Sequence, residues 1–270
     1  MGPNLILNSF PKSGTHLVAT VLKHFGLRQS LHFDSAIIHS SALQHRLMRQ
    51  VLLCGTKDCS IGVDSPQDVN SAALGILLRL SNSRGFTTSH LNYNARVAKI
   101  IQSQSTKVIL VIRDPRSLIY SFVQYVRTNP LHPLHCSSKN LTDQQLALCY
   151  LNGWESGRGR LLSLATRISN FSEWFRVDNL LIVKFEDVVG ERGGGSAGAQ
   201  VGTLMSVEQF VNEADDEQRR SDIAKSLYGT RTHTLRKGKV DSWRVELPTV
   251  LSNDDISRVS SLARSWGYDE

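Results

Sequence analysis

The stretch NLILNSFPKSGTHLVATVLKHFG, residues 4–26, decides how the rest of the chain is read. Its first five residues hold a short, unbroken apolar run, the pattern of a strand buried on both faces. From Thr15 onward, Leu17, Val18, Val21, Leu22 and Phe25 recur at helical spacing and share one face, and Gly26 offers a left-handed stop. Between strand and helix lies a turn of Pro11, Lys12, Ser13, Gly14 and Thr15. A helix N-terminus presents unpaired N–H groups and about half a positive charge, so it draws a phosphate or sulfate. Gly14 lets the backbone approach such a group closely, and Lys12 adds a mobile cation. The usual nucleotide loop runs Gly, four residues, then Gly-Lys-Ser/Thr. Here Lys precedes Gly and no Gly opens the loop, so a plain strand–turn–helix corner is the competing reading.

Outward from this corner, residues 27–84 read as mostly helical. GFTTSH (85–90) is a second short strand by its β-branched content. Val108 to Ile112 is a core strand, and Asp114 caps the next helix with Pro115 at its first position. Leu180 to Phe185 is another strand. The Gly/Ser-rich run 191–202 is a flexible loop. Ser252 and Asp255 form a capping-box pattern ahead of a last helix that stops at Gly267. Strands alternating with helices imply an α/β fold with a central, mostly parallel sheet flanked by helices, in one domain spanning 1–270. Ligands of such sheets bind at the carboxyl ends of the strands. Lys12, His90, Arg113 and Phe185 all fall at or just after such ends.

Composition narrows the function classes. Lys plus Arg number 31 against 24 Asp plus Glu, a net charge of +7 that suits an anionic ligand. No block of like charge forms a nucleic-acid tail. Cys54, Cys59, Cys136 and Cys149 follow no zinc or disulfide spacing, and HPLHC (132–136) reads as a loop rather than a metal cluster. No metal is expected. The apolar run VILVI is far too short to span a bilayer, and no charged-then-apolar leader opens the chain. A cytoplasmic protein without membrane or specific nucleic-acid partners is the expectation.

Three further segments carry chemistry-bearing side chains. In RDPRSLIYSF, Arg113 ends a strand and Ser121 lies one to two turns into the next helix, so both could reach a second phosphate beside the first loop. In TSHLN, His90 follows a strand, where a neutral imidazole could take a proton from an alcohol or phenol. In TLRKGKVDSWR, Arg236, Lys237 and Gly238 set two cations beside a permissive backbone that could close over a phosphate. Each has a structural reading too: Arg113 pairing with a carboxylate, His90 as a packed histidine, the basic run as a solvated turn.

Together, in this order, the four stretches resemble the cytosolic-type sulfotransferases, which transfer a sulfuryl group from 3′-phosphoadenosine 5′-phosphosulfate. Pro11 to Thr15 match the family's P-K-S-G-T-T-W loop. Arg113 and Ser121 match its 3′-phosphate pair, Ser89-His90-Leu91 its K-T-H-L-P stretch, and Arg236, Lys237, Gly238 and Trp243 its R-K-G-x-x-G-D-W motif. VKFEDVVG is similar to its Y-E-D strand end. The resemblance implies a P-loop nucleotide-kinase-like three-layer sandwich, in a short, bacterial-type member. It implies His90 as general base and Lys12 at the leaving oxygen. Ser13, Gly14, Thr15 and His16 would hold the 5′-phosphate; Arg113, Ser121, Arg236, Lys237 and Gly238 would hold the 3′-phosphate.

Several positions depart from the family. Its adenine-side Trp falls at Leu17, its Lys before the base at Thr88, and its Tyr at Phe185. Tyr228 is the substitute candidate platform for adenine. The dimer motif keeps only Thr249, Val250 and Asp254, with Val245 where Lys belongs, which favours a monomer. The acceptor is a small molecule with a hydroxyl or amine, met by residues 27–84 and 128–150. The rival readings are a non-catalytic nucleotide-binding protein and a P-loop-type kinase of related fold, the latter needing the missing Gly-x-x-x-x-Gly-Lys loop and magnesium.

Overall fold

The computed structural model describes residues 4–34, 36–39, 42–82, 85–130, 132, 134–156, 159–211, 214–227 and 239–269. Five strands, β1 (Leu5–Ser9), β2 (Gln29–Phe33), β3 (Phe86–Ser89), β4 (Lys107–Ile112) and β5 (Leu180–Lys184), form one parallel sheet in the order β2-β3-β1-β4-β5. β1 is the middle strand, with Leu5 level with both Phe86 and Lys107. The chain leaves β1 toward one edge and leaves β4 toward the other. The crevice between those two strand ends is therefore where a ligand of this topology sits.

Both faces of the sheet are buried, and the strands read accordingly. Leu5 and Leu7 of β1, with Ile109 and Val111 of β4, pack under α1 (Thr15–His24). Ile6, Val108, Leu110 and Ile112 point to the other face. There they meet α2 (Ser71–Asn82), α3 (Ala95–Ser103), α4 (Pro115–Thr128), α5 (Asp143–Asn152) and the final helix. On the α1 side, α6 (Ala197–Phe210) and α7 (Glu217–Leu227) complete the layer through Leu204, Val207, Ile223 and Leu227. The last helix is α8 (Asn253–Ser265). This is the expected three-layer α/β sandwich. Leu17, Val18, Val21, Leu22 and Phe25 are all buried, as their spacing requires. Asp114 caps α4 with Pro115 in its first turn, and Ser252 caps α8 by accepting the Asp255 N–H.

Three expectations need correction. Among the described residues, positions 27–84 hold three helices, Ala36–His39, Leu43–Leu52 and α2, but they also include β2 and an antiparallel hairpin of Cys59–Ile61 with Gln67–Val69. β2 escapes a periodicity reading because it is an edge strand whose residues are exposed or half-buried until Phe33. The strand read as Leu180 to Phe185 stops at Lys184, and Phe185 opens a short helix, Phe185–Val188. The glycine-rich run 191–202 is not a flexible loop: it is a tight turn through residue 196 and then the first turns of α6. Gly195 lies so close to the Glu186 carbonyl that a Cβ would sit 2.5 Å from it, and Ser196 then caps α6. Among the described residues, no helix is long and apolar enough to cross a membrane.

Candidate active site

The site is built on the end of β1. After Ser9 the chain turns through Phe10–Gly14 and enters α1. Lys12 adopts φ 72° and Gly14 φ 94°, so two successive left-handed turns fold the loop back over the strand end. No side chain caps α1 at Gly14; the Leu17 and Val18 amides both donate to the Gly14 carbonyl, and the Thr15 and His16 amides ahead of them have no intrahelical acceptor. Ser13 is fully buried, and among the described residues its Oγ has no hydrogen-bond partner. Phe185 lies flat against the loop: a Cβ on Gly14 would stand 2.5 Å from its ring. An uncapped helix start, an orphaned buried hydroxyl and a glycine that only a bare backbone satisfies make a cradle with donors but no acceptor.

His90 stands beside this cradle. Its Nδ1 is 2.7 Å from the Ser9 carbonyl oxygen, which can only accept, so Nδ1 carries the proton and Nε2 keeps its lone pair. Ser9 Oγ lies 3.2 Å from the same nitrogen and 2.6 Å from Thr15 Oγ1, which ties imidazole, strand end and loop together. Burial, with a lesser push from His32 at 5.1 Å ring to ring, lowers the His90 pKa to about 4. The imidazole is therefore neutral at physiological pH.

A buried amide fixes the backbone past the base. Asn8 Oδ1 accepts the Leu91 N–H at 2.8 Å and the Ser89 hydroxyl at 2.9 Å, while its Nδ2 donates to the Leu91 carbonyl at 3.0 Å. Trp174 Nε1 donates to that same carbonyl at 2.9 Å. Asn8 thus holds both polar groups of the residue after His90 as the strand leaves the sheet.

The cations converge from different strands. The Lys12 ammonium lies 2.8 Å from the centre of the Tyr125 ring on α4. Tyr125 in turn packs edge-on to His132, whose pKa burial lowers to about 4. Arg113, buried at the end of β4, stacks on Phe185 with its guanidinium carbon 4.2 Å from the ring centre. Its Nε has no hydrogen-bond partner among the described residues. Burial weakens the Arg113 charge, while Glu186 and Asp114 support it. Ser121 lies on α4 two turns beyond Arg113, half-buried. Lys12, Ser13, Gly14, Thr15, His90, Arg113 and Phe185 are thus gathered at one rim of the sheet. His16 opens α1 at the exposed edge of the same loop. Tyr228, Arg236, Lys237 and Gly238 lie outside the described residues.

With this geometry in hand, the relatives can be placed. Residues 2–194 match the model of the sulfotransferase domain. The chain belongs to the sulfotransferase family. Its fold is similar to that of mouse sulfotransferase SULT7A1, solved in complex with PAP. The two share 19% identity over 96% of this chain and 82% of that one, with a TM-score of 0.59. No curated protein matches the sequence.

The sulfotransferase departs from its family's loop pattern in ways the fold explains. Leu17, where the family has Trp, is buried in the core under α1 and offers no surface to a base. Thr88, where the family has Lys, is engaged by the edge strand. Its hydroxyl donates to the Leu31 carbonyl at 3.3 Å, accepts from Gln29 Nε2 at 3.1 Å and lies 2.9 Å from His32 Nδ1. His32 is held in turn by Asp34 at 3.2 Å. Among the described residues, no group of three His, Cys, Asp or Glu side chains could hold a metal ion. Ser9, Asn8 and Tyr125 escaped the sequence reading. The only hint was two polar residues, Asn8 and Ser9, closing an otherwise apolar strand.

Proposed function

We propose that this sulfotransferase moves a sulfuryl group from 3′-phosphoadenosine 5′-phosphosulfate to a hydroxyl or amine of a small-molecule acceptor. The observation that carries the reading is the His90 tautomer. A neutral imidazole with Nδ1–H on the Ser9 carbonyl keeps an Nε2 lone pair beside an anion cradle. The residues present suit the donor: the amides of Gly14, Thr15 and His16 and the orphaned Ser13 hydroxyl toward its 5′-phosphate, and the Arg113 guanidinium, with Ser121, toward its 3′-phosphate. Phe185, which floors both the Gly14 turn and Arg113, bridges the two subsites.

The chemistry asks for positioning and charge stabilisation rather than covalent catalysis. Nε2 of His90 takes the acceptor's proton as the new S–O or S–N bond forms. The S–O bond to the phosphate oxygen breaks in line, and the leaving group is 3′,5′-bisphosphoadenosine. Lys12, on a flexible stem resting against Tyr125, meets the charge that builds on that leaving oxygen. Replacing His90 by alanine is expected to lower turnover by about 10²–10⁴-fold, the usual worth of a positioned general base. Binding of 3′,5′-bisphosphoadenosine, followed calorimetrically without magnesium, is expected to stay near wild type. Near-wild-type turnover in the variant would refute the assignment.

A further inference from the structure

The end of the described chain is laced to the strand ends beneath Arg113. Lys184 donates to the Gly267 carbonyl at 2.9 Å, and Arg116 Nη2 donates to the Asp269 carbonyl at 2.7 Å. Between them, buried Tyr268 donates its hydroxyl to Glu186 Oε2 at 2.9 Å. The other Glu186 oxygen accepts the Asp114 N–H at 3.1 Å. Both carboxylate oxygens are therefore occupied by donors other than a cation. Arg113 is the adjacent positive charge, yet no ion pair joins it to Glu186 among the described residues, and its Nε is unpartnered. A buried guanidinium beside a half-buried carboxylate would ordinarily close into a bidentate pair. Here the carboxylate is held off by two donors, one of which comes from the far end of the sequence.

We propose that Tyr268 is a positioning residue of the donor site: by holding Glu186 away from Arg113, it keeps the guanidinium available to a 3′-phosphate. The inference rests on the 3′-phosphate role given to Arg113 above. Without the Tyr268 hydroxyl, Glu186 Oε2 loses its donor and turns to the neighbouring Arg113 guanidinium. The resulting internal ion pair competes with the phosphate, while the 5′-phosphate cradle on β1 is untouched.

The test is calorimetric titration of the full chain with 3′,5′-bisphosphoadenosine and, separately, adenosine 5′-phosphate. Wild type should bind the bisphosphate more tightly. In Tyr268→Phe, the Kd for the bisphosphate should rise about tenfold while that for the monophosphate stays within about twofold. Adding Glu186→Gln to Tyr268→Phe should restore the bisphosphate affinity, because a neutral amide no longer captures Arg113. That rescue separates positioning from a merely structural tail. Equal losses for both nucleotides, or no rescue by Glu186→Gln, would overturn the role of Tyr268 and leave the donor assignment standing. A wild type that does not distinguish the two nucleotides would overturn the 3′-phosphate reading itself, and this inference with it.

Discussion

The general base proposed for this site is set by one carbonyl. Because Ser9 oxygen can only accept, it dictates which nitrogen of His90 holds the proton, and burial then keeps the ring uncharged. A pH–rate profile for kcat/KM, with donor saturating, should therefore fall only as pH drops through about 4, where the ring gains its second proton. It should be level through neutrality as far as His90 is concerned. A limb near pH 6.5 that vanishes in His90→Ala would show a ring more exposed than the geometry gives. Gly14 is the other decisive residue. Its φ of 94° costs an alanine roughly 1–2 kcal/mol, and the added methyl collides with the Phe185 ring. Gly14→Ala should lower Tm by several degrees, measured by circular dichroism, and weaken bisphosphoadenosine at least about tenfold. Gly14, Lys12 and Arg113 were legible in the sequence because their residue types state their chemistry. Asn8, Ser9 and Tyr268 were not, since they act through backbone groups or partners 80 or more positions away.

At the scale of elements, β1, its loop and α1 were legible because apolar run, turn residues and helical spacing agree. β4 and the Asp114–Pro115 start of α4 were legible for the same reason. β2 was not: an edge strand with one fully buried residue, Phe33, shows no apolar run. The start of α6 was hidden by two glycines of the turn before it, Gly194 in a left-handed conformation and Gly195 pressed against the Glu186 carbonyl. The α4 cap also carries weight beyond its helix. Asp114 accepts the Arg116 N–H and pairs with the Arg116 guanidinium, both side chains being under a tenth exposed. Trp243 packs over that guanidinium at 4.1 Å. Asp114→Ala removes a cap and strands a buried cation, so a loss of about 3–5 kcal/mol is expected in urea unfolding. Glu173→Ala, which breaks the exposed Arg176–Glu173 pair, should change stability by less than about 1 kcal/mol. Equal effects from the two substitutions would contradict the burial argument.

Across the whole molecule, acid should act through two histidines. His90 and His132 both have pKa values lowered from 6.5 to about 4 by burial. Between those values the unfolded chain binds more protons than the native one, so stability rises with pH across that window. The contribution is complete above about pH 6.5 and is lost as pH falls toward 4. At pH 5 the two rings together should give a slope of about 2 kcal/mol per pH unit. Urea midpoints at pH 6.5, 5.5 and 4.5 would reveal it, and the slope should flatten in His132→Asn. The overall architecture was legible because strand and helix signals alternate along the chain. The contact of the chain's far end with α4, β5 and the short helix after β5 was not, since nothing local in GYDE announces a partner so distant in sequence.

Ser9 has a consequence for how such a protein can diversify. It receives His90 through its carbonyl and shares a hydrogen bond with Thr15 through its hydroxyl, so under the proposed function the anion loop and the proton acceptor hang from a single residue. A shift in one carries the other along. Under the proposed function, the spacing between the two halves of the reaction is thereby set inside one strand end, so acceptor-facing segments could vary outside β2, whose Phe33 carbonyl and His32 ring meet His90, while the reacting centre stays in register.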